Sequence, residues 1–424
     1  MAGTGGRVTL DGQAGCTPMN APLRVALPGQ AWNVVADDPA GLLFAISYGS
    51  NPMETVLTAV SQTGHVEWQR SFPGTGRPWA RATGRGTVWV SRPESTWRVL
   101  DEVDVNGRTI KTVIPPSQPG EDIGTFALLP DGFCVMWTAA RGPLRGKGPR
   151  REPRVSRHRE DGTLIWSTPI HLGDVSHPGI VEIGEDSGWQ VRQKPAWAPR
   201  EVTVAHHEPL MIAGECVAAS FEDRSGLGRT FLLDLRTGKT AATTAPAPGG
   251  HKAIDGDRGF LIGAQGYGAF ETARVTTLGT RVATCPSHGT LAIGADGVVS
   301  IVEMENYRPS RSRFQRLAPD DTLTNGPALP GYYTAPAAVD QEGTTVYWRD
   351  DQLTAIDPGL KAHPLAELPG TGITSRVLIL DNGTVALTLD KDLHLIPTPL
   401  APLAASTWPC ADHNLQGNPV AQTL

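Results

Sequence analysis

Val34-Val35-Ala36-Asp37-Asp38-Pro39-Ala40-Gly41-Leu42-Leu43-Phe44-Ala45-Ile46 is an apolar run, a tight turn ending in glycine, and a second β-rich run. The pattern recurs with turns at Gly86, Gly132, Gly214, Gly259, Gly297, Gly343 and Gly383. Strand-forming residues follow several of these glycines directly, as in Thr87-Val88-Trp89-Val90, Phe133-Cys134-Val135-Met136-Trp137 and Thr344-Thr345-Val346-Tyr347-Trp348. Neighbouring turns lie about 45, 46, 82, 45, 38, 46 and 40 residues apart, the period of four-stranded propeller blades. A unit of that size cannot bury its apolar face alone, so it must stack on copies of itself around an axis.

A second landmark follows each hairpin: a strand, a turn and another strand, as in Thr58-Ala59-Val60-Ser61-Gln62-Thr63-Gly64-His65-Val66-Glu67-Trp68. The corresponding turns fall near Gly107, Gly162, Gly238, Gly279, Asp321 and Gly359. The last hairpin, through Asp392-Leu393-His394-Leu395-Ile396, meets a Pro-rich stretch where its fourth strand should be. Leu23-Arg24-Val25-Ala26-Leu27 is the expected replacement, because a strand from the other terminus closes the ring and removes an exposed sheet edge. The interval from Gly132 to Gly214 is read as an insertion at about residues 171–204; the alternative is a degenerate hairpin, Ile180-Val181-Glu182-Ile183 turning into Trp189-Gln190-Val191-Arg192. The expected architecture is all-β: a single eight-bladed β-propeller over residues 22–400, with seven blades as the alternative. An N-terminal segment (1–21) and a C-terminal tail (401–424) flank it.

Composition agrees. Of 424 residues, 19% are charged, while 48 Gly and 36 Pro suit many short strands joined by turns. The formal net charge of -6 argues against a general polyanion binder, nucleic acid included. No run of 18 apolar residues is present, so no transmembrane segment is expected. The start, Met1-Ala2-Gly3-Thr4-Gly5-Gly6, lacks the basic and apolar regions of a signal peptide. A cytoplasmic protein is expected if Met1 is the native start, and an extracytoplasmic bacterial one if the chain is a mature form.

Leu232-Leu233-Asp234-Leu235-Arg236-Thr237-Gly238-Lys239, Glu160-Asp161-Gly162-Thr163-Leu164-Ile165-Trp166 and Gln62-Thr63-Gly64-His65-Val66-Glu67-Trp68 resemble the strand-turn-strand signature of quinoprotein-like (PQQ-repeat-like) β-propellers. In that signature Asp and Thr-Gly shape the turn and a Trp docks against the neighbouring blade. Ser406-Thr407-Trp408-Pro409 with His413-Asn414-Leu415-Gln416-Gly417 resembles a short Trp-Pro segment found beside such propellers in exported bacterial proteins. The family implies fold more than function: some members bind pyrroloquinoline quinone and oxidise alcohols or sugars, others are scaffolds or recognition modules. The quinone enzymes carry adjacent cysteines and a calcium site with a catalytic Asp. Here Cys16, Cys134, Cys216, Cys285 and Cys410 include no adjacent pair, so no cofactor is expected.

No metal site is expected from these cysteines, whose spacing is not that of a ligand set. Glu102-Val103-Asp104-Val105-Asn106-Gly107 imitates a calcium loop, but its twelfth position is Val113 where a bidentate Glu is needed. Cys16 and Cys410 lie in terminal segments that ring closure brings together, which leaves a disulfide open there beside the reading as two free thiols. No phosphate loop, nucleophile elbow or HExxH is present.

Two departures from the repeat are the candidate binding regions. Arg145, Arg150, Arg151 and Arg154 belong to a basic stretch with a single acid, Glu152, suited to an acidic ligand or a protein partner, or else simply solvated. Trp189 and Trp197 in the insertion, with His206 and His207 at its exit, offer aromatic surface and titratable imidazoles. If the two histidines lie on a strand they point to opposite faces, so they cannot share one metal without a bend. A binding or scaffolding propeller is the leading expectation; the alternative is a propeller enzyme, a lyase, hydrolase or isomerase, with its active site at one mouth of the channel. Titratable side chains clustered at a mouth favour the enzyme, and a basic or aromatic patch on the rim favours the binder.

Overall fold

The computed structural model describes residues 22–421 except 51–52, 74–77, 94–97, 119, 140–152, 174–179, 184–188, 193–201, 224–225, 267–268, 304–311, 330–334 and 371–374. Among the described residues there is no α-helix, and no helix long and apolar enough to cross a membrane. Seven antiparallel four-stranded sheets, one seven-stranded sheet and one two-stranded hairpin hold all the described strands.

The first sheet is an up-and-down meander of Gln30–Asp37, Leu42–Ser50, Met53–Ser61 and Val66–Pro73. The same order repeats over residues 80–113, 121–169, 252–285, 289–329 and 338–367. The first strands of successive sheets lie side by side, which makes them the innermost strands around the axis of a β-propeller.

The expected closure is present. Leu23–Ala26 pairs antiparallel with Asp392–Ile396, Leu23 opposite Leu395 and Val25 opposite Leu393, so the last sheet takes its outer strand from the N-terminal side. The blade count needs a correction, because regular four-stranded blades number seven, the alternative, rather than eight. The unit expected as an ordinary blade at Gly214 is enlarged instead. Its meander of Leu210–Ala213, Cys216–Asp223, Leu227–Asp234 and Thr240–Thr243 also takes on Val202–Val204, Ala247–Pro248 and, in parallel, Val420–Ala421. The insertion supplies the first of these, the link to the next sheet the second and the C-terminal residues the third. Within the insertion, Ile180–Ile183 and Trp189–Arg192 pair with each other and with no other described strand.

Sheets pack face to face through apolar side chains; Phe44, Leu57 and Phe72 of the first sheet meet Val88 and Val103 of the second. Tryptophans lock neighbouring sheets at the turns. Trp68 Nε1 donates to Val105 O at 2.6 Å, and Trp166 Nε1 to Leu235 O at 2.8 Å. A Cβ at Gly107 or Gly238 would sit 2.9 or 2.5 Å from these indole rings, and both glycines have positive φ, so only glycine fits both the turn and the ring above it.

Residues 401–421, within the expected C-terminal tail, close one end of the channel. The backbone N–H groups of Ala36, Ala82, Ile212, Ile293 and Val339 donate to Leu415, Gln416, Pro419, Trp408 and Pro409 carbonyls, and Leu128 N donates to Asn418 Oδ1. Each donor is the last or last-but-one residue of its innermost strand. Arg376 donates from Nη1 to Ala411 O at 2.6 Å and from Nη2 to Leu415 O at 2.8 Å, and Arg81 pairs with Asp412 at 3.4 Å. Trp408 and Cys410 are fully buried. Cys16 lies outside the described residues. The segment thus satisfies strand-end donors that would otherwise face an open channel.

Candidate functional site

At the opposite end, where the innermost strands begin, three histidines stand just ahead of consecutive strands. His207 precedes Leu210–Ala213 by three residues, His251 directly precedes Lys252–Ile254, and His288 directly precedes Gly289–Ile293. The first two meet. The His207 and His251 ring centroids are 4.0 Å apart, and those of His206 and His207 are 4.7 Å apart. His206 and His207 lie in a bend rather than on a strand, so they escape the opposite-face restriction that a strand would impose.

Glu208 joins them. His251 Nδ1 donates to Glu208 Oε1 at 3.2 Å, and Lys252 N donates to Glu208 Oε2 at 2.9 Å. Lys252 Nζ donates to His207 O at 2.6 Å and Gly250 O at 3.1 Å. The side chains of Glu208 and His251 are only 8% and 7% exposed, while His207 is partly exposed and His206 faces solvent. One nitrogen or oxygen atom from each of His207, Glu208 and His251 lies within 4.8 Å of the others.

Two local features put these groups together. Glu208 adopts φ +35°, a left-handed conformation for a non-glycine residue, directly before Pro209, which disfavours the right-handed helical alternative. Strain of this kind persists where the surroundings over-determine it, commonly at functional sites. Gly249-Gly250 leads into His251, and a Cβ on Gly249 would sit 2.8 Å from Glu222 Oε2, one on Gly250 2.7 Å from the Gly263 backbone. The glycine pair therefore lets the chain pass close enough to bring His251 and Lys252 under Glu208.

The electrostatics follow from burial and mutual charge. Burial opposes ionisation of Glu208, but the charges and hydrogen bonds of His251 and Lys252 outweigh it and hold the carboxyl below its usual range. Burial, with the neighbouring His251, His206 and Lys252, pushes the His207 imidazole well below its usual value. Burial also lowers Lys252, opposed by Glu208 and Glu222, and raises the carboxyl of Glu222. Both shifts favour a neutral His207 imidazole and an ionised Glu208 carboxylate.

Of the residues expected from sequence, His206 and His207 stand in this cluster. Arg154 does not fit the solvated basic stretch: it is 6% exposed, its guanidinium pairs with Glu121 at 2.7 Å and lies 4.5 Å over the Trp137 ring. Strand pairing at Arg154–Arg159 pulls it into the core of its sheet, and its charge is spent there. Arg145, Arg150, Arg151 and Trp197 lie outside the described residues, as does the side chain of Trp189. Glu208, Glu222, His251 and Lys252 were missed. The signal was available as His-His-Glu-Pro, and as histidines recurring just ahead of innermost strands.

No family model matches the chain, and no curated protein does. Among solved structures it is similar to a streptogramin B lyase (11% identity over 90% of this chain and 97% of that one, TM-score 0.45). It is also similar to virginiamycin B lyase from Staphylococcus aureus (10%, 89% and 99%, 0.44). The WD40 domain of SCAP from fission yeast is similar to the same degree (10%, 89% and 94%, 0.48). At these identities and scores the likeness concerns overall architecture and carries nothing about chemistry.

Proposed function

We propose that the chain is a propeller enzyme whose chemistry takes place at the channel end away from the C-terminal residues, on His207, Glu208 and His251. The observation that carries this is the Glu208–His251 contact, made by a residue in a strained backbone conformation beside a second imidazole. A carboxylate fixed against one imidazole, with a second imidazole beside it, is an arrangement suited to proton transfer or to holding an ion rather than to plain packing. The C-terminal residues close the other end, so substrate approaches on the side of His206. The reaction class that fits is polar, a lyase, hydrolase or isomerase step.

The repeats themselves are proposed to be of the quinoprotein-like kind, without quinone. Trp68 and Trp166, docked on the next sheet's turn, support this reading. Binding of a protein or acidic ligand through Arg145, Arg150, Arg151, Trp189 and Trp197 has no comparable geometric support.

The test is conversion. Incubating the protein with fractionated small-molecule extract should consume at least one compound and form another, seen by mass spectrometry, and Glu208→Gln should abolish the conversion while keeping the circular dichroism spectrum. Identical profiles for both proteins and for extract alone would remove the enzyme reading and restore the scaffold.

A further inference from the structure

The geometry points to a divalent metal site formed by His207, Glu208 and His251, taking an ion of the zinc class. This inference rests on the proposed active site and names its cofactor.

Two imidazoles and one carboxylate within 4.8 Å of one another form a donor set that suits zinc, cobalt or iron rather than calcium or magnesium, which prefer all-oxygen shells. In a tetrahedral zinc site with bonds of about 2.1 Å, ligand atoms lie roughly 3.4 Å apart. Glu208 Oε1 and His251 Nδ1 are already 3.2 Å apart, so His207 is the ligand that has to draw in, by about 1.4 Å at most from the 4.8 Å limit, and its partial exposure gives it the freedom to do so. Three protein ligands leave a fourth position for water or substrate, the arrangement of a catalytic rather than a structural site.

The surroundings supply what an ion needs. Glu208 has two oxygens: Oε2 is held by Lys252 N and Oε1 faces His251, so one can bind an ion while the other stays fixed. Lys252 is the one cation among the described groups in contact with the cluster that opposes a dication, and its ammonium is turned onto the His207 and Gly250 carbonyls. Glu208 and Glu222 together offer two carboxylates against that single ammonium. The bend at His206-His207 brings the His207 ring to 4.0 Å from that of His251, centroid to centroid, with one nitrogen of each ring within 4.8 Å of a Glu208 oxygen.

The experiment uses the full chain stripped with chelator and titrated with Zn2+ by calorimetry, and with Co2+ by visible absorption. One equivalent should bind, with the intense d–d bands of four-coordinate Co2+, and His207→Gln should weaken binding on the order of 100-fold or more. His288→Gln, outside the trio, should leave it unchanged. Glu208→Gln tests the carboxylate, and the exposed side of His207 makes its variant the one least burdened by misfolding. Absence of one-equivalent binding, or equal affinity in His207→Gln, overturns the site. If no metal binds but conversion is still lost in Glu208→Gln, the metal inference fails and the enzyme stands. If metal binds and nothing is converted, the site stands and the enzyme reading falls.

Discussion

Glu208 and His251 sit 43 residues apart in sequence and on neighbouring sheets, yet Glu208 Oε1 is 3.2 Å from His251 Nδ1. That pair exists because a bend before one innermost strand and a glycine pair before the next point at each other. The ring of sheets thus acts as a frame on which residues just ahead of innermost strands become neighbours.

The seam is testable first. Deleting residues 1–27 removes Leu23–Ala26 from the last sheet, leaving the Asp392–Ile396 edge unpaired and losing the buried Val25 and Leu27. Two such side chains are worth about 3–6 kcal/mol, so the melting temperature should fall clearly. An unchanged melting curve means that the pairing does not hold the ring.

Arg376 is the main clamp on the C-terminal residues, with donors on Val34, Ala411 and Leu415 carbonyls. Arg376→Met removes these donors, although Leu415 O keeps the Ala36 N–H, and should cost about 3 kcal/mol. Urea unfolding reads it directly. A midpoint equal to wild type would mean that the segment is held by its strand-end contacts alone.

Two groups give opposite pH signatures. Asp38, on the first sheet, is raised from 3.8 to about 6 by burial and by its hydrogen bond to Asp381 of the last sheet. Its folded value lies above its unfolded one, so its contribution is fully present below about pH 3.8 and lost as pH rises through about 6. His413, in the C-terminal segment, is pushed from 6.5 to about 4 by burial and by Arg376. Its contribution is present above pH 6.5 and lost as pH falls through about 4. Melting temperatures of Asp38→Asn and His413→Gln, each compared with wild type from pH 4 to 7, should diverge with opposite slopes. Parallel curves would refute both assignments.

The cysteine pattern predicts a negative result. Reconstitution with pyrroloquinoline quinone and calcium should give neither stoichiometric uptake nor dye-linked alcohol oxidation, since the chain has no adjacent cysteines. Uptake with activity would place it among the quinone enzymes.

The frame was legible in the sequence because a turn glycine recurs about every 38–46 residues from Gly41 to Gly383, the insertion apart, and because the last hairpin visibly lacked a strand that Leu23–Ala26 could supply. The enlarged sheet was not legible. Val202–Val204 and Val420–Ala421 are too short to signal a strand alone and join only because other parts of the fold bring them there. His206 and His207 drew notice as an adjacent pair, but Glu208 and His251 did not, since their meeting depends on how two sheets are placed side by side. Arg154 misled for the converse reason: its neighbours in sequence are basic, while its partner Glu121 is 33 residues away.

The most direct measurement is the rate of the converted reaction in wild type, His207→Ala, His251→Ala and His363→Ala, the last a histidine remote in sequence whose contact is with Asp357. The account predicts a loss of about 10²–10⁴-fold in the first two variants, the scale of a lost acid–base or metal-binding group, with His363→Ala equal to wild type. Equal rates in all four proteins would contradict it.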